Sequence, residues 1–275
     1  MTDFWNDVLT FAEATATRVG KQLLRDFGSV TASEKADGSL VTRSDKWADE
    51  EIREAIASSF PTHGVLSEEG QHILPENDWC WVIDPLDATT NFARGIPIWG
   101  TCLGLLYRGT PVFGYIHLPP LGYSFHGFCF EGGEAIAIPS RSGAFLNNRS
   151  IGPTADELSP NHFFNLCSRS AAIAPDLPTK IRMLGMASYN FLTVAMGACL
   201  GGVEATPKVW DISAAWAIVK AAGAVWVPLE PDPIFPLQVG RNYGDRSFPT
   251  LLVAREELVS VFLPFVEAIG KQINN

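Results

Sequence analysis

Strand-like runs crowd together in the middle of the chain, and that crowding limits the fold more than any other feature. Thr101 to Tyr107 and Val112 to His117 are apolar and are separated only by Arg108-Gly109-Thr110-Pro111, a hairpin pattern. Trp79 to Ile83 precedes them, bounded by Asn77-Asp78 and Asp84-Pro85; Tyr123 to Phe128 and Gly143 to Leu146 follow. A parallel crossover needs about a dozen residues or more. The spacing therefore predicts a largely antiparallel sheet and disfavours a string of βαβ units.

The flanks have a different period. Trp5, Val8, Ala12, Ala16, Val19 and Leu23 recur at steps of three and four, one face of a long helix. A turn at Asp37-Gly38 and a short extended run, Leu40-Val41-Thr42, come next. Ser44 is placed to cap a second helix with the stripe Ala48, Ile52, Ala55, Ile56, which Phe60-Pro61 ends. Beyond the strand-rich third, Phe163 to Cys167 predicts a strand. Met186 to Leu200 predicts a helix closed by Gly201-Gly202, and Asp211 to Ala222 another closed by Gly223. The Pro-rich stretch from Val225 to Phe235 reads as loop. A boundary near residue 150 would divide the chain into parts 1–150 and 151–275.

Composition removes whole classes of function. The 275 residues are 47% hydrophobic and 18% charged, enough apolar content for a sizeable core and too much for disorder. Lys plus Arg is 20 against 30 Asp plus Glu, a net charge of -10 with no basic run, so no nucleic-acid partner is expected. No stretch approaches the roughly 20 apolar residues of a membrane span. The first residues lack the basic and apolar regions of a signal peptide. Cys80, Cys102, Cys129, Cys167 and Cys199 form no CxxC pattern and read as reduced thiols of a cytoplasmic protein.

The informative residues are acidic. Asp45 lies just inside a predicted helix start, Glu68-Glu69-Gly70 follows a short apolar run, and Asp211 opens a helix. Each alone suits a cap or a solvated loop. Asp84-Pro85-Leu86-Asp87, at the end of a buried-looking strand, is harder to explain structurally. Pro85 stiffens the turn, and two converging carboxylates repel unless something cationic sits between them. Hard cations such as Mg²⁺ take oxygen ligands and keep room for a phosphate. Ala88-Thr89-Thr90-Asn91 follows at once. If Asp87 starts a helix, the N–H groups of Ala88 and Thr89 are free to face an anion. The Thr89 hydroxyl could orient a water. Phosphate-loop, dinucleotide, nucleophile-elbow and HExxH patterns are absent, and His63, His72, His117, His126 and His162 are scattered.

Trp81-Val-Ile-Asp84-Pro-Leu-Asp87-Ala-Thr-Thr-Asn91-Phe92 resembles the central signature of the inositol monophosphatase family, within the Mg²⁺-dependent, lithium-sensitive sugar phosphatases. Three further segments match in order: Leu40-Val-Thr-Arg-Ser-Asp45, Ser67-Glu68-Glu69-Gly70 and Trp210-Asp211-Ile-Ser-Ala-Ala215. The resemblance implies an α+β fold layered α-β-α-β-α, with a large mostly antiparallel sheet and a smaller C-terminal α/β half. It also implies a homodimer. It assigns a first Mg²⁺ to Glu68, Asp84 and the Leu86 carbonyl, and a second to Asp84, Asp87 and Asp211. Glu68 would help hold a third through waters, and Li⁺ would inhibit. Asp45 and Thr89 would orient the attacking water, and the Ala88 and Thr89 N–H groups would hold phosphate. Glu204, seven residues before Asp211, and the loop Gly185-Met186-Ala187 would contact the substrate, with Lys35 nearby.

The implied reaction is hydrolysis of a small polyol or sugar phosphate, inositol monophosphate first. Fructose 1,6-bisphosphate, histidinol phosphate and 3′-phosphoadenosine phosphate are the alternatives within the superfamily. A catalytically weak homologue that only binds metal is the alternative outside it. Ala88 stands where the family usually has Gly. A negative φ there would keep its N–H useful, and a positive one would strain it. Ser67 likewise replaces a usual Gly, and Met186 and Gly201-Gly202 depart from the inositol-specific pattern around the sugar pocket.

Overall fold

A computed structural model describes residues 2–35, 38–130 and 142–272. The first helix, α1 (Thr2–Asp26), buries all six residues of the predicted stripe, from Trp5 to Leu23. A two-stranded ribbon follows, β1 (Ser33–Glu34) and β2 (Leu40–Val41), with Gly38 in the left-handed region; Asp37, the other half of the expected turn, lies outside the described residues. The second helix, α2 (Arg43–Ser59), is capped by Thr42 and not by Ser44. Thr42 Oγ1 accepts from the Ser44 N–H at 3.1 Å, while the Ser44 hydroxyl donates to Asp26 at the end of α1.

Next come β3 (Gly64–Ser67), β4 (Trp79–Asp87), the short α3 (Thr89–Ala93), β5 (Gly100–Tyr107), β6 (Thr110–Leu118), β7 (Tyr123–Phe128), β8 (Gly143–Leu146) and β9 (Arg149–Ile151). The seven strands form one sheet in chain order, antiparallel throughout except for the β3–β4 pair. Short connections dictate this order, as the spacing predicts.

The rest of the chain builds a second sheet from β10 (Phe163–Leu166), β11 (Lys180–Arg182), β12 (Gly201–Glu204), β13 (Val225–Pro228) and β14 (Thr250–Val253), in the order β11-β10-β12-β14-β13. The helices are α4 (Ala187–Ala195), α5 (Val209–Ala222) and α6 (Val259–Gln272). Two local expectations are corrected. The helix expected over Met186 to Leu200 stops at Ala195, because Gly197 turns left-handed and Ala198 and Cys199 both donate back to the Thr193 carbonyl. Part of the expected loop from Val225 is an edge strand, where Pro228 removes no needed hydrogen bond.

The layers read α1 and α2, large sheet, α4 and α5, small sheet, α6. One core joins α1 and α2 to the large sheet through Trp81, Leu103 and Phe113; the other joins both sheets around α4 and α5. This is the expected α-β-α-β-α sandwich. No helix among the described residues is long and apolar enough to cross a membrane. Helix α5 lies against the sheet at glycine positions: a Cβ on Gly114 would sit 2.0 Å from the Ala214 carbonyl oxygen. That close approach sets the start of α5, with Asp211, beside the end of β4.

Candidate active site

The site forms where β4 ends. Its register against β5 shifts between Asp84 and Asp87, at Pro85, which has no N–H to give the ladder. Thr101 pins the Pro85 carbonyl at 2.9 Å, and the Leu86 N–H donates to Asp84 Oδ1 at 3.0 Å. The bulge turns both carboxylates to the same side. Asp211, three residues into α5 from its cap Lys208, receives the Lys208 N–H at 2.6 Å and completes the group. Ligand-type oxygens of Asp84, Asp87 and Asp211 all lie within 4.8 Å of one another.

Burial is the main force on these acids. It raises the pKa of Asp84 well above the carboxylate range, and the charges of Glu68, Asp87 and Asp211 raise it further. Asp211 is raised by burial and then by Asp87. Burial and the neighbouring carboxylates bring Glu68, on the loop after β3, to about 7 against the attraction of Lys35. Lys35 Nζ lies 3.1 Å from Glu68 and also contacts Glu69. Its own burial opposes the charge, yet the two glutamates together hold its pKa above the ordinary lysine value. Buried oxygens that repel one another are what a hard divalent cation needs, so the donor set fits Mg²⁺ better than a soft metal.

Asp45 reaches the start of α3, and its charge is felt at Glu68. Its Oδ2 closes the α2 capping box on the Thr42 N–H at 2.7 Å, and its Oδ1 accepts the Thr89 hydroxyl at 2.7 Å. Thr89 Oγ1 is also 3.1 Å from the Leu86 carbonyl, so Asp45, Thr89 and Leu86 meet at one point. Between them Ala88 has φ +70° and ψ +48°. The negative φ that would open a helix at Asp87 is therefore not present; α3 begins only at Thr89. The Ala88 N–H is turned onto the Asp87 carboxylate.

A cleft of about 390 Å³ opens beside the acids. Asp87, Asp211, Glu204, Ala187, Gly185 and Met186 line it together, with the exposed Met183 also in the lining. Glu204 ends β12, is buried, and accepts from Asn190 Nδ2; burial pushes its pKa up to about 7. Two participants have no motif to announce them. Asn190 is 3% exposed, lines the cleft and leaves its Oδ1 without a partner. Ser188, the second residue of α4, donates to Asp87. Both occupy the first turn of a buried helix, where polar residues amid Tyr189, Phe191 and Leu192 are the only available signal.

A family model described as the inositol monophosphatase family matches residues 5–257. A Thermotoga maritima protein named fructose-1,6-bisphosphatase/inositol-1-monophosphatase is 31% identical over 80% of this chain and 84% of its own. A histidinol-phosphatase of Chlorobaculum parvum is 28% identical over 78% of this chain and 83% of its own. The solved structure of a Thermotoga maritima IMPase superposes with a TM-score of 0.79, covering 98% of each chain at 25% identity.

Proposed function

Because this chain belongs to the inositol monophosphatase family and is a phosphatase, we propose that it hydrolyses the monoester of a small polyol, with inositol monophosphate the leading candidate. The observation that carries this reading is the convergence of Asp84, Asp87 and Asp211 within 4.8 Å, next to the Thr89–Asp45 pair. Glu68, Asp84 and the Leu86 carbonyl would hold one Mg²⁺, and Asp84, Asp87 and Asp211 a second, with Glu68 reaching a third through water. When bound, such ions neutralise the phosphate and lower the pKa of a water. Thr89 Oγ1 presents a lone pair to the attacking water and gives its proton toward Asp45 Oδ1, 2.7 Å away. Asp45 can take that proton because burial raises its pKa, and its capping bonds hold it in place. Glu204 and Ala187 bound the leaving group.

The cleft also narrows the substrate. Asp87, Glu204 and Asp211 are its charged lining residues, and no Lys, Arg or His lines it among the described residues. A second phosphate on the leaving group would find carboxylates and no cation. This favours monophosphates over fructose 1,6-bisphosphate and 3′-phosphoadenosine phosphate; histidinol phosphate, with an ammonium, stays compatible. The test is phosphate release with Mg²⁺ and with chelator from myo-inositol 1-phosphate, histidinol phosphate and the two bisphosphates. Asp87→Asn is the control. Release from the monophosphates that needs Mg²⁺ and is lost in the control is expected. Preference for a bisphosphate would overturn the substrate reading, and chelator-resistant release the metal reading.

A further inference from the structure

Asp87 is held by a residue that none of the acidic motifs contains. Ser188 is fully buried and turns both its N–H and its hydroxyl on Asp87 Oδ2, at 3.1 and 2.5 Å. Behind it, the buried Cys102 thiol lies 3.4 Å from Ser188 Oγ and donates to it. Cys102 faces Asp84 across the β4–β5 ladder. A serine hydroxyl has one proton and two lone pairs. Accepting the thiol commits that proton to Asp87, so a directed chain runs from Cys102 on β5 through Ser188 on α4 to the Asp87 carboxylate.

The chain decides which oxygen is available. Oδ2 already takes both Ser188 donors. Oδ1 keeps lone pairs to spare. Repulsion from Asp84 and Asp211 would turn an unrestrained Asp87 away from the cluster; Ser188 opposes that turn. It does so from a residue 101 positions away in sequence, so the seating of α4 on the large sheet is coupled to the geometry of the acids.

We propose that Ser188 is a positioning residue for divalent-metal binding, presenting Asp87 to the ion through a single oxygen with Cys102 fixing the direction of its hydroxyl. This rests on the reading of Asp84, Asp87 and Asp211 as metal ligands. Partners that orient a ligating group change metal affinity by roughly 10- to 100-fold when removed.

The experiment is calorimetric titration of the chelator-treated full chain with Mg²⁺ or Mn²⁺, without substrate, alongside the Mg²⁺ dependence of turnover. Ser188→Ala is expected to raise the metal dissociation constant about tenfold or more. Ser188→Thr, which keeps the hydroxyl, restores most of it. Cys102→Ala, which leaves both donors to Asp87 in place, gives a smaller loss in the same direction. A purely structural Ser188 would lower the melting temperature of the metal-free protein and leave the dissociation constant unchanged, and that result overturns the proposal. Should Ser188→Ala not fold, Cys102→Ala decides: unchanged affinity rejects the directed chain. Asp87→Asn separates the two readings. If it binds metal like the parent, the metal site itself is wrong. If it loses binding while Ser188→Ala keeps it, the positioning role alone fails.

Discussion

Asp45 and Asp84 are the same residue type, each 1% exposed, and the fold surrounds them with opposite partners. Burial raises the pKa of both. At Asp45 the next influences, bonds from Thr42 and Thr89, lower it again. At Asp84 the next influences are three more carboxylates, which raise it further. The chain satisfies Asp45 with its own donors. It leaves Asp84 in a group of carboxylates that Lys35, paired with Glu68, offsets at one edge only. One acid is part of a helix cap; the other is a local instability, which under the proposed function is kept for a metal.

The sharpest way to break this comparison is to neutralise each acid and look for opposite signs. In chelator at pH 8, Asp84→Asn is expected to stabilise the protein by about 2 kcal/mol, because a buried repelling charge is removed. Asp45→Asn is expected to destabilise it by about 1 kcal/mol, through the weakened cap and the loss of the charge-assisted bond from Thr89. Asp84→Asn should also abolish Mg²⁺-dependent phosphate release. Denaturant titrations with and without Mg²⁺ measure both signs, and loss of stability in both variants would reject the contrast.

Glu204 is the intermediate case, a buried acid with an amide donor from Asn190 and, among the described residues, no cation acting on it. Its folded pKa, about 7, lies above the ordinary value of 4.5, so the folded state binds the proton more tightly than the unfolded one. Stability from this group is full below about pH 4.5 and declines as pH rises to about 7, by up to about 3 kcal/mol. Glu204→Gln should flatten that decline in the metal-free protein by the same order. Melting temperatures in chelator from pH 4.5 to 8 test it; an unchanged slope would mean that Glu204 stays charged in the fold.

Much of this arrangement was legible because local chemistry carried it. The stripe from Trp5 to Leu23 fixes α1, and Pro85 between two aspartates marks the bulge; the expected connection Arg108 to Pro111 does make the hairpin, tightened to Arg108-Gly109 because Thr110 and Pro111 already pair in β6. What escaped depends on tertiary placement. Ser44 and Thr42 are equally good caps in sequence, and Asp26, eighteen residues away, draws the Ser44 hydroxyl to α1. Ser188 and Asn190 are ordinary polar residues until α4 is laid against β4 and β12. Strand β13 was hidden because its Pro228 signals a loop until the strand is seen at a sheet edge.

Ala88 gives the smallest effect and joins the two sides of the comparison. It lies between Asp87, which faces the acidic group, and Thr89, which faces Asp45, and it turns the chain from one to the other with φ +70°. An alanine in the left-handed region costs roughly 1–2 kcal/mol, which glycine avoids at the expense of about 0.5–1 kcal/mol of unfolded-state entropy. Ala88→Gly should therefore stabilise the protein by about 0.5–1 kcal/mol with Thr89 still bonded to Asp45. Ala88→Val should destabilise it by more than Ala88→Gly gains, since a β-branched side chain fits that region worst. If glycine instead destabilises, the turn is not left-handed in solution. The Ala88 N–H would then be turned away from the Asp87 carboxylate, whose pKa it lowers in this conformation.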